Sequence, residues 1–219
     1  SAVTFDFWVR PTKYGSILYE FWPDINTAPS LSCSYTAAPL RAYFNGSGKV
    51  CKLEGPESIH SDGNWHHVAV VYQKTDYPAC VTLYVDGVNV GKSTTDAGPL
   101  TALPNAILYI GCRRLESYNL TGDLDAFRIT EGAVSAANVA AMYEAAEGRE
   151  DDDAVLGAEY YVTNGLIALF DARENVSWGG AHDATATVWR NIAPNPPANA
   201  PVALTLGEGA QWSEACALT

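Results

Sequence analysis

Residues 65–93, WHHVAVVYQKTDYPACVTLYVDGVNVGKS, constrain this chain more than any other stretch. They read as three consecutive antiparallel strands. In the first, His67, Ala69 and Val71 alternate with His66, Val68, Val70 and Tyr72. Both sets are largely apolar, so the strand is expected at the centre of a sheet with both faces covered. Lys74 to Pro78 turns the chain. In Val81–Val85, Val81, Leu83 and Val85 face one way and Thr82 and Tyr84 the other. Asp86-Gly87 supplies the positive φ of a tight hairpin, and Val88, Val90 and Gly91 return.

The rest of the chain keeps that rhythm. Strands are expected over Thr4–Arg10, Ile17–Trp22, Leu31–Tyr35, Leu40–Phe44, Lys49–Leu53, Ala106–Cys112 and Leu124–Thr130, separated by turn signals such as Asn45-Gly46-Ser47-Gly48. Short strands at this spacing predict an all-β, two-sheet antiparallel sandwich. One helix interrupts it. Ser135 is the expected N-cap, and Ala136, Val139, Ala140, Met142 and Tyr143 recur at helical spacing up to Glu147.

Gly148 to Asp153 is a solvated charge run, and residues 148–163 read as an acidic linker. Up to residue 147 ten basic groups face fifteen acidic ones; beyond it three face ten. After the linker, Gly165–Phe170, Thr185–Arg190, Val202–Leu206 and Ala210–Leu218 are strand candidates. Pro194, Pro196, Pro197 and Pro201 exclude a central strand between them. So short a segment with so little core is expected to pack on something else.

The net charge of −12 argues against nucleic acid, which needs clustered Lys and Arg, and against docking on anionic lipid. No run reaches the roughly 20 apolar residues that span a bilayer. Ser1-Ala2-Val3 enters a strand at once and does not read as a signal peptide. The five cysteines, Cys33, Cys51, Cys80, Cys112 and Cys216, form no CxxC pair, which disfavours structural zinc. They permit one or two disulfides without requiring any.

Four segments carry a family likeness: Phe5-Asp6-Phe7-Trp8-Val9-Arg10-Pro11; Trp65-His66-His67-Val68-Ala69 with Leu83-Tyr84-Val85-Asp86-Gly87; Leu108-Tyr109-Ile110-Gly111; and Gly122 to Ile129 followed by the short helix. Over residues 4–147 the chain resembles the laminin G-like jelly rolls of the concanavalin A-like lectin/glucanase superfamily. The resemblance implies a body, residues 1–147, that lacks its opening strands. Residues 164–219 are similar to those strands. They are expected to complete the sandwich of this chain, or that of a neighbour in a head-to-tail assembly; a cut from a tandem array is the third alternative.

The glucanase pattern E-x-D-x-x-E is absent. Asp123 and Asp125, two apart on one strand face, are the nearest carboxylate pair, and the expectation is no catalysis. Laminin G-like relatives often hold calcium at the rim. That makes Asp123 and Asp125 the leading calcium candidates, with Asp24, Asn26 and Asp62 behind them. His66 and His67 point to opposite faces and cannot jointly chelate. Sugar sites stack rings and hydrogen-bond hydroxyls. On that ground the carbohydrate candidates are Trp22, Tyr43, Arg113, Arg114, Tyr118 and Asn119, although sandwiches also use Tyr and Trp for packing. The expected function is a non-catalytic surface module, extracellular or on a cell or virion, that binds glycan or a surface protein. The alternatives are an assembly subunit that self-associates through residues 164–219 and a glucanase with a degenerate site.

Overall fold

Each of the longer strands carries one apolar face, and two sheets arise by turning those faces together. The computed structural model describes residues 2–13, 15–22, 30–35, 40–46, 49–55, 62–73, 81–93, 95, 107–112, 118–146, 165–177, 180, 182–207 and 210–212. The strands are β1 (Ala2–Pro11), β2 (Ser16–Trp22), β3 (Ser30–Tyr35), β4 (Arg41–Gly46), β5 (Lys49–Glu54), β6 (His66–Gln73), β7 (Val81–Val85), β8 (Val88–Ser93), β9 (Ile107–Ile110) and β10 (Gly122–Glu131). Helix α1 (Ala136–Ala146) follows, then β11 (Leu166–Phe170), β12 (Val188–Arg190) and β13 (Ala203–Thr205). The acidic linker lies outside the described residues.

One sheet runs β11-β10-β1-β6-β7-β8 and the other β5-β4-β3-β2-β9; β12 and β13 pair separately. All the pairings are antiparallel. Phe5, Phe7 and Val9 of β1, Val68, Val70 and Tyr72 of β6 and Leu83 of β7 share one core with Tyr19, Leu31, Ala42 and Phe44 of the other sheet. Phe5 stacks on Tyr19 at 4.7 Å and Phe7 on Phe127 at 5.5 Å between centroids. The Tyr19 and Tyr72 hydroxyls meet at 2.8 Å, and Tyr72 donates to the Ser32 carbonyl at 3.1 Å, so both phenol tips inside the core are satisfied.

β10 carries a device that strict alternation does not predict. Trp8 faces Asp125 and Asp6 faces Arg128, so two β10 residues oppose Phe7 alone. The extra residue is Ala126, at φ 47°. This bulge keeps both Leu124 and Phe127, three apart, on the core side.

The six-stranded sheet is covered on its second face too, as expected for β6. Val139 and Met142 of α1 pack with Ala69, Val71 and Tyr84, while Trp8 stacks on Tyr143 at 5.8 Å. Ser135 caps the helix: its Oγ accepts the Asn138 N–H at 3.2 Å. Midway along this face Asp6 is paired with the Arg128 guanidinium, and His67 Nε2 lies 3.4 Å from Asp6 Oδ1. Burial holds the His67 imidazole below its ordinary pKa, so the ring is neutral near pH 7.

The segment after the linker packs on the body. β11 pairs with β10 through Phe127↔Phe170, Arg128↔Leu169 and Ile129↔Ala168. Phe170 and Trp189 enter the main core, their rings 5.9 Å apart. The edge of β11 is closed by the Ile192 N–H, which donates to the Leu169 carbonyl at 2.9 Å, and by the side chain of Asn191. Asn191 Oδ1 accepts the N–H groups of Leu169 and Ala193, each at 3.0 Å, and its Nδ2 donates to the carbonyls of Ile167 at 3.1 Å and Pro201 at 2.8 Å. An amide so placed makes every hydrogen bond it can, and it does at this edge what another strand would do.

Candidate functional site

In the five-stranded sheet Tyr19, Phe21, Leu31, Cys33, Ala42, Phe44, Cys51, Leu53, Leu108 and Ile110 turn to the core. Period-two geometry sends their neighbours to the outer face. Register then lines these neighbours up: Glu20 pairs with Tyr109 on one side and Ser32 on the other, Ser32 with Tyr43, and Tyr43 with Lys52. The result is one row across all five strands, Tyr109, Glu20, Ser32, Tyr43, Lys52. A second row holds Ser34, Arg41 and Glu54.

Among the described residues the exposed charges on this face pair with one another. Glu54 Oε1 accepts from Arg41 Nε at 3.0 Å and from Lys52 Nζ at 2.5 Å. The Lys52 hydrogen bond, first among the causes, holds the Glu54 carboxyl below its usual range. Glu20, only 4% exposed, sits at the base of the row. Tyr43 and Tyr109 are half-buried and present part of their surface. Two half-buried aromatic residues with the Ser32 hydroxyl between them in register can stack on a flat apolar ring face and hydrogen-bond to hydroxyls.

Of the candidates drawn from sequence, Tyr43 lies in this row. Trp22 ends β2 opposite Ile107, and its side chain is not among those described. Arg113 and Arg114 lie outside the described residues. Tyr118, at φ 56°, and Asn119 are exposed beyond the end of β9, where the Leu120 N–H donates to the Gly111 carbonyl at 2.6 Å. Glu20, Ser32, Lys52 and Tyr109 are not among those candidates. Glu20, an acidic residue between two inward aromatics, is a second signal for this face that the sequence carries beside Tyr43; the row itself exists only through register.

Asp123 and Asp125 share the outer face of the other sheet, as their spacing predicts, but protein donors hold both. Asp123 Oδ2 receives Arg10 Nε at 2.8 Å, and the Arg10 guanidinium lies over the Trp65 ring at 5.0 Å. Asp125 Oδ1 accepts the N–H groups of Ala126 at 2.6 Å and Ala172 at 2.8 Å, with Arg173 Nη1 3.9 Å from Oδ2. Burial, then the Asp171 charge, pushes the Asp125 carboxyl up to about 7. Calcium takes six to eight oxygens. Two carboxylates facing guanidinium groups do not offer that set, and among the described residues no group of three His, Cys, Asp or Glu is placed to hold a metal ion.

His66 sits at the rim. Its Nδ1 is 2.8 Å from Asp86 Oδ2, and its Nε2 is 3.1 Å from Asp62 Oδ2. His67 is fully buried on the opposite face. Cys51 is disulfide-bonded, while Cys33 keeps a buried thiol whose pKa burial pushes well up. Among the described residues no helix is long and apolar enough to cross a membrane.

Comparison with known proteins bears on the fold. A carbohydrate-binding protein from Bacteroides ovatus, itself described as putative, aligns with a TM-score of 0.57 and 13% identity over 94% of this chain and 52% of that one. The chain thus spans about half the length of that protein. The CBM40 module of the Ruminococcus gnavus IT-sialidase, solved with α2,3-sialyllactose bound, aligns with a TM-score of 0.53 and 13% identity over 65% of this chain and 82% of that one. No curated protein matches by sequence. The model of the concanavalin A-like lectin/glucanases superfamily matches residues 1–140. With two facing antiparallel sheets and most of its length inside that match, the chain belongs to the concanavalin A-like lectin/glucanases superfamily.

Proposed function

We propose that this chain is a non-catalytic carbohydrate-binding module whose platform is the outer face of the five-stranded sheet. The row Tyr109, Glu20, Ser32, Tyr43 carries this reading. It places two aromatic residues three strand spacings apart, about 14 Å, with the half-buried Ser32 between them. The fold neighbours from Bacteroides ovatus and Ruminococcus gnavus, both tied by name or ligand to carbohydrate, support it.

Carboxylate spacing supports the absence of catalysis. Glycosidase pairs stand about 5–9.5 Å apart. Among the described residues the outward carboxylates of this sheet are Glu20 on β2 and Glu54 on β5, about 14 Å apart across the strands. Glu54 is also committed to Lys52 and Arg41. The Cys51 disulfide supports an oxidising, extracellular or surface location.

Residues 164–219 complete their own sandwich in this reading. The pairing of β11 with β10 and the burial of Trp189 support it. A monomer in size-exclusion with light scattering is the expected result; a concentration-dependent oligomer, lost on deleting residues 164–219, favours head-to-tail assembly instead. Glycan-array binding that falls at least tenfold in both Tyr43→Ala and Tyr109→Ala, with melting little changed, tests the platform. Binding indifferent to both substitutions moves the site elsewhere.

A further inference from the structure

Beside Tyr43 the outer face of the five-stranded sheet holds Arg41, Lys52 and Glu54 in one fixed arrangement. Pairing of β4 with β5 sets Tyr43 opposite Lys52 and Arg41 opposite Glu54. Alternation turns all four outward, since Ala42, Phe44, Cys51 and Leu53 face the core. Lys52 thus stands about 5 Å from Tyr43 between Cβ atoms, and Glu54, the diagonal neighbour, about 7–8 Å. The Lys52 and Glu54 side chains are 41% and 43% exposed. Arg41 Nε and Lys52 Nζ both reach Oε1 of Glu54, at 3.0 and 2.5 Å. Among the described residues the other oxygen, Oε2, has no partner. It is an acceptor in the open, and the Lys52 ammonium keeps further protons to donate. Exposed ion pairs add little to folding. What this one provides is an acceptor and a donor set beside a ring face before anything binds.

A sugar hydroxyl both donates and accepts. Two of them on adjacent ring carbons match the cluster: one donates to Glu54 Oε2 and its neighbour accepts from Lys52 Nζ, while the apolar face of the sugar lies on the Tyr43 ring. We propose that Tyr43, Lys52 and Glu54 form a subsite for a sugar with two free vicinal hydroxyls, with Arg41 as the positioning residue of Glu54. The inference rests on the carbohydrate-binding reading above and adds the ligand class and the residues that read its hydroxyls.

The test takes the strongest ligand of a glycan array to calorimetry, both as the parent sugar and as mono-O-methyl derivatives that mask one hydroxyl each. The proteins are the full chain, its variants Glu54→Gln and Lys52→Met, and Lys92→Met as a control at an exposed position of the other sheet. Glu54→Gln and Lys52→Met are each expected to weaken binding about tenfold with melting little changed, and Lys92→Met to leave it as it is. The hydroxyl readout separates contact from support. The methyl derivative that costs the native chain about tenfold is expected to cost Glu54→Gln little more, because the hydrogen bond it removes is already gone. An equal penalty in both proteins overturns this inference. So does native affinity in folded Glu54→Gln and Lys52→Met while Tyr43→Ala is impaired; the carbohydrate platform then stands, and the charges only guard the β5 edge. Silence across the array, or binding indifferent to Tyr43→Ala and Tyr109→Ala alike, overturns the platform itself, and the subsite with it.

Discussion

Asp86 ties its own hairpin back to His66. The carboxylate receives His66 Nδ1 at 2.8 Å on one oxygen and the main-chain N–H of His67 at 3.0 Å on the other. Its backbone meanwhile makes the turn: Asp86 at φ 50° and Gly87 at 74° give the two positive values that a tight β7–β8 hairpin needs. One residue thus joins three strands. Asp86→Ala is expected to cost about 2 kcal/mol in urea unfolding, since it strands a buried N–H and puts a less suitable residue at positive φ. Asp86→Asn, which tolerates that φ, is expected to cost less. Equal losses in the two variants would show that the turn conformation contributes nothing.

The rim pair should titrate in a defined window. Burial opposes charge on His66, but the hydrogen bonds and charge of Asp86 and then Asp62 outweigh it, so the imidazole is held above its ordinary 6.5. Burial likewise opposes Asp62, but the Asn64 N–H and then His66 hold its carboxyl below 3.8. The His66 contribution is complete below pH 6.5 and fades as pH rises through the raised value. That of Asp62 is complete above pH 3.8 and fades as pH falls through the lowered one. The stability gap between the native chain and His66→Gln is therefore expected to be larger at pH 5.5 than at pH 8.5, read by thermal melting at both. A flat gap refutes the pairing.

Asp125 runs the other way in consequence. Its folded value of about 7 lies above 3.8, so its stabilising share is complete only below 3.8 and is lost as pH rises through 7. The groups that face it are Asp171, which worsens the loss, and Arg173, which moderates it. Asp125→Asn keeps an oxygen for the Ala126 and Ala172 N–H groups. It is expected to gain on the native chain between pH 5 and pH 8 in the same melting series; a variant that falls behind over that range shows that Arg173 dominates.

Asn191→Ala should loosen β11. Four hydrogen bonds go at once, two of them to β11 backbone groups at a sheet edge. A loss of roughly 2–4 kcal/mol is expected. Amide exchange at Leu169 should accelerate before that at Val70 in the sheet centre. Unchanged protection of Leu169 would mean that the edge is held by other means.

The aromatic row makes a prediction separable from stability. Tyr43 and Tyr109 are half-buried, so truncating either to alanine is expected to cost about 1 kcal/mol or less of folding free energy while reducing glycan affinity at least tenfold. Equilibrium unfolding and calorimetry on the same preparations check the two halves.

Alternation of apolar and polar residues is a local property, and it was sufficient for the strands of the two large sheets, for the Asp86-Gly87 turn and for α1 with its Ser135 cap. It also carried the pairing of two apolar faces, because Phe5, Phe7, Val68, Val70 and Leu83 each leave water only by meeting another sheet. The resemblance in the Trp65 and Gly122 segments extended this to the superfamily. Local pattern says nothing of which strand stands beside which. β9 reaches β2 across most of a sheet-length of intervening chain, and only that pairing puts Tyr109 next to Glu20. The Ala126 bulge, the closure of the β11 edge by Ile192 and Asn191 and the capture of Asp125 by the Ala172 amide have the same origin. Each satisfies a backbone group or core position created by strands far apart in sequence. The chain alone therefore determined that two sheets form and which faces meet; tertiary register decided which outward residues became neighbours, because hydrogen-bond pairing between distant strands is chosen by the burial of the whole.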